Sequence, residues 1–418
     1  MHLARLTLVL AAATALAHSA DAPAPIPGAA PPALIPGLAF IDSNYENASP
    51  LWHEPATDGS VLVHLLYDHE RASTNRAAGH IRFTIHGTPG ARLTLEFVNL
   101  QNVYNGRAAS VAPSMRTLSV SDDGRAWRVV PITHPAPGRA RATVELTGPL
   151  LHVARIEPYG LPELAAFLAE LRASPLTEIT VIGKTVQGRD LEIVRLGDPA
   201  APRRVFLRAR AHPWEPGGNW VLQGLARRLL RGDADAKKFL ARTCVWFLPM
   251  ANKDGVAAGR TRFNALGKDL NRDWNAPADP ALAPENAALE RWLEGMIAAG
   301  RKPDLALELH NDGNGQLHVT RAPSPHLERH LARMAIFEKL LRRHTWFTEG
   351  ATGPAFRNTG TLGEGWLLRF GIDAVVHEFN TNVITVAGEK VAPLGRHWEA
   401  YGESLATVFF DYFGETAP

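Results

Sequence analysis

The run Val205-Phe206-Leu207-Arg208-Ala209-Arg210-Ala211-His212-Pro213-Trp214-Glu215 decides how this chain is read. Its apolar start predicts a strand over 205–210, and His-Pro-Trp-Glu falls where that strand gives way to a loop. An imidazole and a carboxylate three residues apart can close on one metal ion. A lone His-x-x-Glu arises often by chance, so the reading depends on what lies downstream. Asp269-Leu270-Asn271-Arg272 brings a fixed cation, His310 ends a second apolar run, and Glu378 ends a third, Ala374-Val375-Val376-His377-Glu378-Phe379.

Outward from this run, helical and buried strand-like segments alternate. Strands are predicted over 180–182, 191–196, 205–210, 245–248, 305–309 and 374–379, with helices over 219–230, 285–299, 327–343 and 397–412. That is an α/β domain over 158–415 with a mixed central sheet flanked by helices, whose ligands belong beyond the strand carboxyl ends. Before it, over 38–157, short β-type runs broken by Gly, Pro, Asn and Asp predict an antiparallel β-sandwich. The change of rhythm near Pro158 has no long linker, so the sandwich is expected to pack on the α/β domain as a support.

The first 17 residues carry His2 and Arg5, an apolar stretch and the small-x-small end Ala15-Leu16-Ala17, the pattern of a signal peptide, followed by a Pro- and Ala-rich flexible lead over 18–37. Export, to the periplasm or beyond the cell, is the expectation. No later segment is long and apolar enough to span a bilayer. The 418 residues are 45% hydrophobic and 21% charged with a formal net charge of +2, and no long basic run is interleaved with aromatics, which argues against nucleic acid as a partner. Cys244 is the single cysteine, so no intramolecular disulfide forms, and its apolar surroundings predict a packed thiol.

His212, Glu215 and His310 each follow a predicted strand, and two histidines with one carboxylate, leaving a fourth position open, is a catalytic zinc arrangement. One Zn2+ per chain is therefore expected. Any one of the 17 histidines is by default a surface or packed residue, so the ligand reading rests on the segments jointly. An acid at the end of an apolar strand is costly unless paired or metal-associated, which makes Glu378 the candidate to take a proton from water and hand it to a leaving amine. Its plain alternative is a buried structural ion pair. His377 alternates to the other strand face and is read as structural. Arg272, with the Asn271 amide beside it, offers a fork for a carboxylate. Arg262 could stabilise an oxyanion, with Arg260 as a rival two residues away. Together these parts describe an enzyme acting on peptides next to a free C-terminal carboxylate.

His212-Pro213-Trp214-Glu215, Asn252-Lys253-Asp254-Gly255, the segment from Gly259 to Asn264, Asp269-Leu270-Asn271-Arg272-Asp273-Trp274, His310 and Glu378 resemble, in order, the motifs of the zinc metallocarboxypeptidases. The His-Pro-x-Glu and Asp-Leu-Asn-Arg-Asp-Trp forms and the preceding sandwich resemble the cytosolic carboxypeptidase branch in particular. The resemblance implies His212, Glu215 and His310 as zinc ligands and Glu378 as general base. It also implies Arg262 at the tetrahedral intermediate and Asn271 with Arg272 at the terminal carboxylate. It further implies a tyrosine about twenty-two residues before the base, where this chain has Phe356, and no Tyr occurs between Tyr159 and Tyr401. The loop over the side-chain pocket is expected within 350–366, with Gly363 near the specificity position. Three other readings stay open: a murein peptide amidase or carboxypeptidase, an aspartoacylase-like deacylase, and a secreted module that binds C-termini without cutting them. The deacylases usually carry Gly-x-His-Gly-Asn-Glu at the first ligands, from which Arg210-Ala211-His212-Pro213-Trp214-Glu215 departs.

Overall fold

Strands buried on both faces are mostly apolar, and the strand Thr243–Leu248 is buried at every position in the computed structural model, which describes residues 34–416. It belongs to a seven-stranded sheet whose spatial order is Thr177–Lys184, Asp190–Leu196, Thr243–Leu248, Arg203–Ala209, Leu305–Asp312, Asp373–Asn380 and Leu317–His318. The four strands from Thr243–Leu248 to Asp373–Asn380 run parallel, and antiparallel strands flank them, giving the expected mixed sheet.

Alternate residues of these strands serve two cores. Val205, Leu207, Val245, Phe247, Leu307 and Leu309 pack with Leu222, Phe337 and Leu405 of the helices Gly217–Leu230, Leu327–His344 and Gly395–Glu415. On the other face Phe206, Cys244, Trp246 and Ala306 meet Leu289 and Trp366 of the helices Pro284–Ala298 and Leu362–Phe370. The Cys244 thiol is free and buried, and burial pushes its pKa up to about 12. The helix Leu362–Phe370 was not among the predicted helices, and it takes up the end of 350–366, within which the pocket loop was expected.

Register brings the candidate residues level. In the parallel ladder Ala209 lies opposite Leu309, and His310 lies opposite Glu378, so the first loop, the third candidate ligand and the candidate base meet at the carboxyl ends of three adjacent strands.

The N-terminal strands form a five-stranded and a four-stranded sheet around a core of Val61, Phe83, Leu95, Phe97 and Leu118. One pair, Val61–Leu65 with Arg92–Val98, runs parallel, a departure from the wholly antiparallel expectation. A third, small sheet of Asp68–His69, Arg76–Ala77, Gln101–Tyr104 and Arg107–Ser110 is also present. From Ile35 onward the chain is one compact unit. Buried Arg155 donates to the Ser114 carbonyl at 3.1 Å, Thr381 Oγ1 at 3.2 Å and Asn382 Oδ1 at 3.1 Å, tying the N-terminal strands to the far end of the α/β region. The predicted signal segment 1–17 lies outside the described residues, as does the predicted lead up to residue 33.

The helices Gly217–Leu230 and Gly395–Glu415 touch backbone to backbone. A Cβ on Gly224 would lie 2.0 Å from the Glu399 carbonyl oxygen, and one on Gly402 would lie 2.0 Å from that of Val221. Glycine in a helix interior costs up to about 1 kcal/mol relative to alanine, so Gly402→Ala would stabilise an isolated helix. Here the overlap with main chain outweighs that gain, and we expect a net loss of about 1–3 kcal/mol, read as a lower thermal midpoint. A midpoint equal to or above that of the parent would mean the helices part freely.

Candidate active site and metal centre

The loop after the strand Arg203–Ala209 is held by its own first residue. Arg210 adopts a left-handed φ of 61°, and its buried guanidinium donates to the carbonyls of Pro213 at 2.7 Å and Tyr159 at 2.8 Å and to Asn219 Oδ1 at 3.0 Å. A non-glycine residue at such φ costs of order 1 kcal/mol and persists only where its surroundings fix it. The turn that follows places His212 and Glu215 together with His310.

These three side chains converge. Glu215 Oε1 lies 3.0 Å from His212 Nδ1, Glu215 Oε2 lies 2.6 Å from His310 Nδ1, and the two Nδ1 atoms are 3.1 Å apart. One donor atom from each falls within 4.8 Å of the others, and all three residues are buried. The outer nitrogens face carboxylates: His212 Nε2 is 3.1 Å from Asp269 Oδ1, and His310 Nε2 is 3.3 Å from Glu308 Oε1. A proton on His212 Nε2, toward Asp269, turns the His212 Nδ1 lone pair inward, where it meets His310 Nδ1 and the Glu215 carboxylate, a cluster that a cation at its centre would satisfy. Two imidazole nitrogens and one carboxylate oxygen with an open side suit zinc. Burial opposes a positive charge on His310, but Glu215 and Glu308 outweigh it and hold its pKa well above the ordinary histidine value.

Around this centre is a cleft of about 360 Å³. Glu378 lines it with a side chain only 14% exposed, and its Oε2 has no hydrogen-bond partner among the described residues. Burial, reinforced by Asp312 and Glu215, raises the Glu378 pKa well above the usual carboxylate range. A buried carboxylate without a partner, beside a metal centre, is poised to accept a proton. His318 Nε2 lies 4.0 Å from Glu378 Oε1, and burial lowers the His318 pKa to about 4, leaving that imidazole neutral.

Arg262 reaches the cleft, with Nε donating to Asp269 Oδ2 at 2.7 Å, whereas Arg260 donates to the Asn264 carbonyl at 2.7 Å and lines a neighbouring cavity. Geometry thus separates the two rivals. Asn271 is buried with Oδ1 accepting from the Leu362 N–H at 2.9 Å, which fixes the amide so that Nδ2 lies 3.1 Å from His310 Nε2. Arg272 also lines the cleft, and its Nη1 donates to the Asn271 carbonyl at 2.8 Å.

His212, Glu215, Arg262, Asn271, Arg272 and Glu378 line one cleft, and buried His310 stands behind them against Glu215. Phe356 lines it too, stacked on His318 with ring centroids 4.5 Å apart. Gly363 does not: it opens the helix Leu362–Phe370, where a Cβ would meet the backbone of Ala374 and Val375 at 3.4 Å, and Thr359 and Thr361 line the cleft instead. Neighbouring Glu364 is turned inward to Thr320 Oγ1 at 3.1 Å, and Arg357 is exposed. His377 faces away and bonds the Tyr401 hydroxyl at 2.6 Å, in keeping with a structural part. Three residues of the site escape the sequence reading. Glu308 was legible as a second acid two positions before His310 on the same strand face, and Asp269 as the acid opening its motif. Tyr104, from the small N-terminal sheet, carried no signal.

Residues 164–310 match the family described as zinc carboxypeptidase. The chain is similar to cytosolic carboxypeptidase 6 of Caenorhabditis elegans, 32% identical over 269 residues that make up 61% of this chain and 52% of that protein. Cytosolic carboxypeptidase 1 of Homo sapiens is 34% identical over 106 residues, 25% of this chain and 9% of its own length. The chain thus spans about half the length of the first relative and much less of the second. In fold it is similar to a metallo-carboxypeptidase from Burkholderia cenocepacia, with a TM-score of 0.77 at 22% identity, covering 90% of this chain and 99% of that one. A metallo-carboxypeptidase from Pseudomonas aeruginosa, solved with (2-guanidinoethylmercapto)succinic acid, gives 0.75 at 22% identity with the same coverage. Coverage of 90% exceeds what the α/β region alone contains, so the shared carboxypeptidase-like fold takes in N-terminal strands as well.

Asp269 orients His212 without touching the ion position. Asp269→Asn should weaken zinc binding about 10–100-fold in competition with a chromogenic chelator, with the fold retained by circular dichroism. Unchanged zinc affinity would remove Asp269 from that part.

Proposed function

We infer that the protein is a zinc-dependent metallocarboxypeptidase that removes C-terminal residues from peptides. The observation that carries this is one cleft that the Glu378 carboxylate, with its unpartnered Oε2, shares with the Arg262 and Arg272 guanidinium groups and with His212 and Glu215 of the His212, Glu215 and His310 cluster. Arg272, with the Asn271 amide, grips the terminal carboxylate of the substrate and sets which bond is presented. Arg262 faces the carbonyl of that bond and stabilises the negative charge that grows on its oxygen. Bound zinc supplies Lewis acidity, polarising the carbonyl and easing deprotonation of water. Glu378 accepts the proton from the attacking water and delivers it to the departing amine, the ordinary work of a carboxylate whose pKa has been raised. Zinc itself is the metal that the matched family implies.

Mass spectrometry of a mixed peptide library, with free and amidated C-termini, tests the reading. Stepwise loss of C-terminal residues from free termini, abolished by a chelator and restored by zinc, is the expected result. Equal cutting of amidated peptides, or none of either kind by the zinc-loaded protein, would count against an exopeptidase. Glu378→Gln should lower kcat by about 10²–10⁴-fold while zinc content and peptide binding stay as in the parent. Undiminished turnover would remove Glu378 as the base.

Export belongs to the same proposal and rests on residues 1–17 alone, since the named relatives are called cytosolic. Expressed with its full N-terminus in a secretion-competent host, the chain should begin at His18 by N-terminal sequencing. Retention of Met1 on a cell-internal product would overturn this part.

A further inference from the structure

Part of the cleft wall comes from outside the α/β region. Tyr104, Val111 and Ser114 line it, and all three belong to the N-terminal strands and their connections. Tyr104 ends the strand Gln101–Tyr104 and pairs with Arg107 across a two-residue turn of Asn105 and Gly106, both at positive φ of 51° and 72°. Asn-Gly is the pair that this tight hairpin turn favours, so local sequence fixes where Tyr104 stands.

Its hydroxyl has a defined polarity. Buried Asn102 accepts the Ala78 N–H on Oδ1 at 2.8 Å, which makes Nδ2 the atom that faces Tyr104 and donates to its oxygen at 2.8 Å. The same Nδ2 reaches the Ala78 carbonyl at 3.2 Å, which confirms the orientation of the amide. The phenol oxygen is therefore the acceptor, and its own proton has no acceptor among the described residues. Burial raises the phenol pKa, so the proton stays in place at neutral pH. The ring lies against the Arg262 guanidinium, 5.1 Å from its carbon, on the side of the cleft that carries the oxyanion cation.

We propose that Tyr104 is a substrate-binding residue whose hydroxyl donates a hydrogen bond to a peptide backbone carbonyl on the acyl side of the scissile bond, making the N-terminal strands part of the peptide site. The inference rests on the carboxypeptidase reading for the direction of the substrate. With the terminal carboxylate at Asn271 and Arg272 and the scissile carbonyl at Arg262, the next acceptor of the chain runs past Arg262. That is where Tyr104 stands. The donor comes from a different segment than Phe356, where the resemblance implies a tyrosine, and lies more than two hundred residues before it.

Tyr104→Phe keeps the ring on Arg262 and removes only the donor. In the Glu378→Gln background, affinity for a tetrapeptide with a free C-terminus should fall about fivefold on adding Tyr104→Phe. Affinity for a free dipeptide, which has no backbone carbonyl beyond the scissile one, should not change. Zinc content and thermal midpoint should match the parent. Equal tetrapeptide affinity with and without the hydroxyl would overturn the proposal, as would an equal loss for both peptides. Turnover by the otherwise unaltered chain, measured alongside, reports separately on the hydrolase reading. Binding that depends on Tyr104 in a chain that cuts nothing would leave this contact standing and remove the enzyme.

Discussion

Two full charges stand at the centre of the sheet where water does not reach. Arg208 and Glu308 are opposite each other on neighbouring parallel strands, and both are completely buried. Breaking such a pair by removing one partner costs about 3–5 kcal/mol, because the other is left charged and dry. Burial works against the charge on Glu308, yet Arg208 and His310 outweigh it and keep its pKa below the ordinary value. Arg208 spends its remaining donors on the Leu270 carbonyl at 2.9 Å and Asn286 Oδ1 at 3.1 Å. Leu270 is thereby pinned from beneath, with Asp269 turned to His212 and Asn271 turned to His310 on either side. The metal centre, the carboxylate fork and the sheet core hang from one ion pair.

Asp269 adds a second coupling. One of its oxygens holds His212 and the other holds Arg262, so the candidate zinc ligand and the proposed oxyanion cation share a single carboxylate. Burial opposes the charge, but Arg262 and His212 together hold the Asp269 pKa well below the usual range. Substitutions at His212, Arg262 and Asp269 should therefore not add independently.

Much of this was written in local pattern. Strands buried on both faces read as largely apolar runs, so the polar residues toward their carboxyl ends, His310 and Glu378, stood out against their surroundings. What sequence could not supply was the meaning of glycine in the segment from Gly360 to Gly371. Gly363 and Gly365 suggest a loop, yet a Cβ on Gly365 would lie 2.1 Å from the Trp274 carbonyl oxygen. Gly365 permits close approach of a helix to the Asp-Trp segment, and it is Gly371, at a left-handed φ of 63°, that ends that helix. The choice between Arg260 and Arg262 also waited on three dimensions, because both sit in one short loop and only backbone direction separates them. Tyr104 lay beyond reach for another reason: no periodicity links residue 104 to residue 262.

Trp214 stands between two candidate metal ligands in sequence, and its indole donates to Glu215 Oε1 at 3.0 Å while its ring packs against the core of the N-terminal strands. Gly79 makes room for that ring, since a Cβ there would fall 2.6 Å from it. The passage near Pro158 looks like a seam between modules when the chain is read as a line. In space the socket for Trp214 is on one side of the seam and Trp214 on the other. A recombination at that point would separate the loop of His212 and Glu215 from the socket that seats its tryptophan.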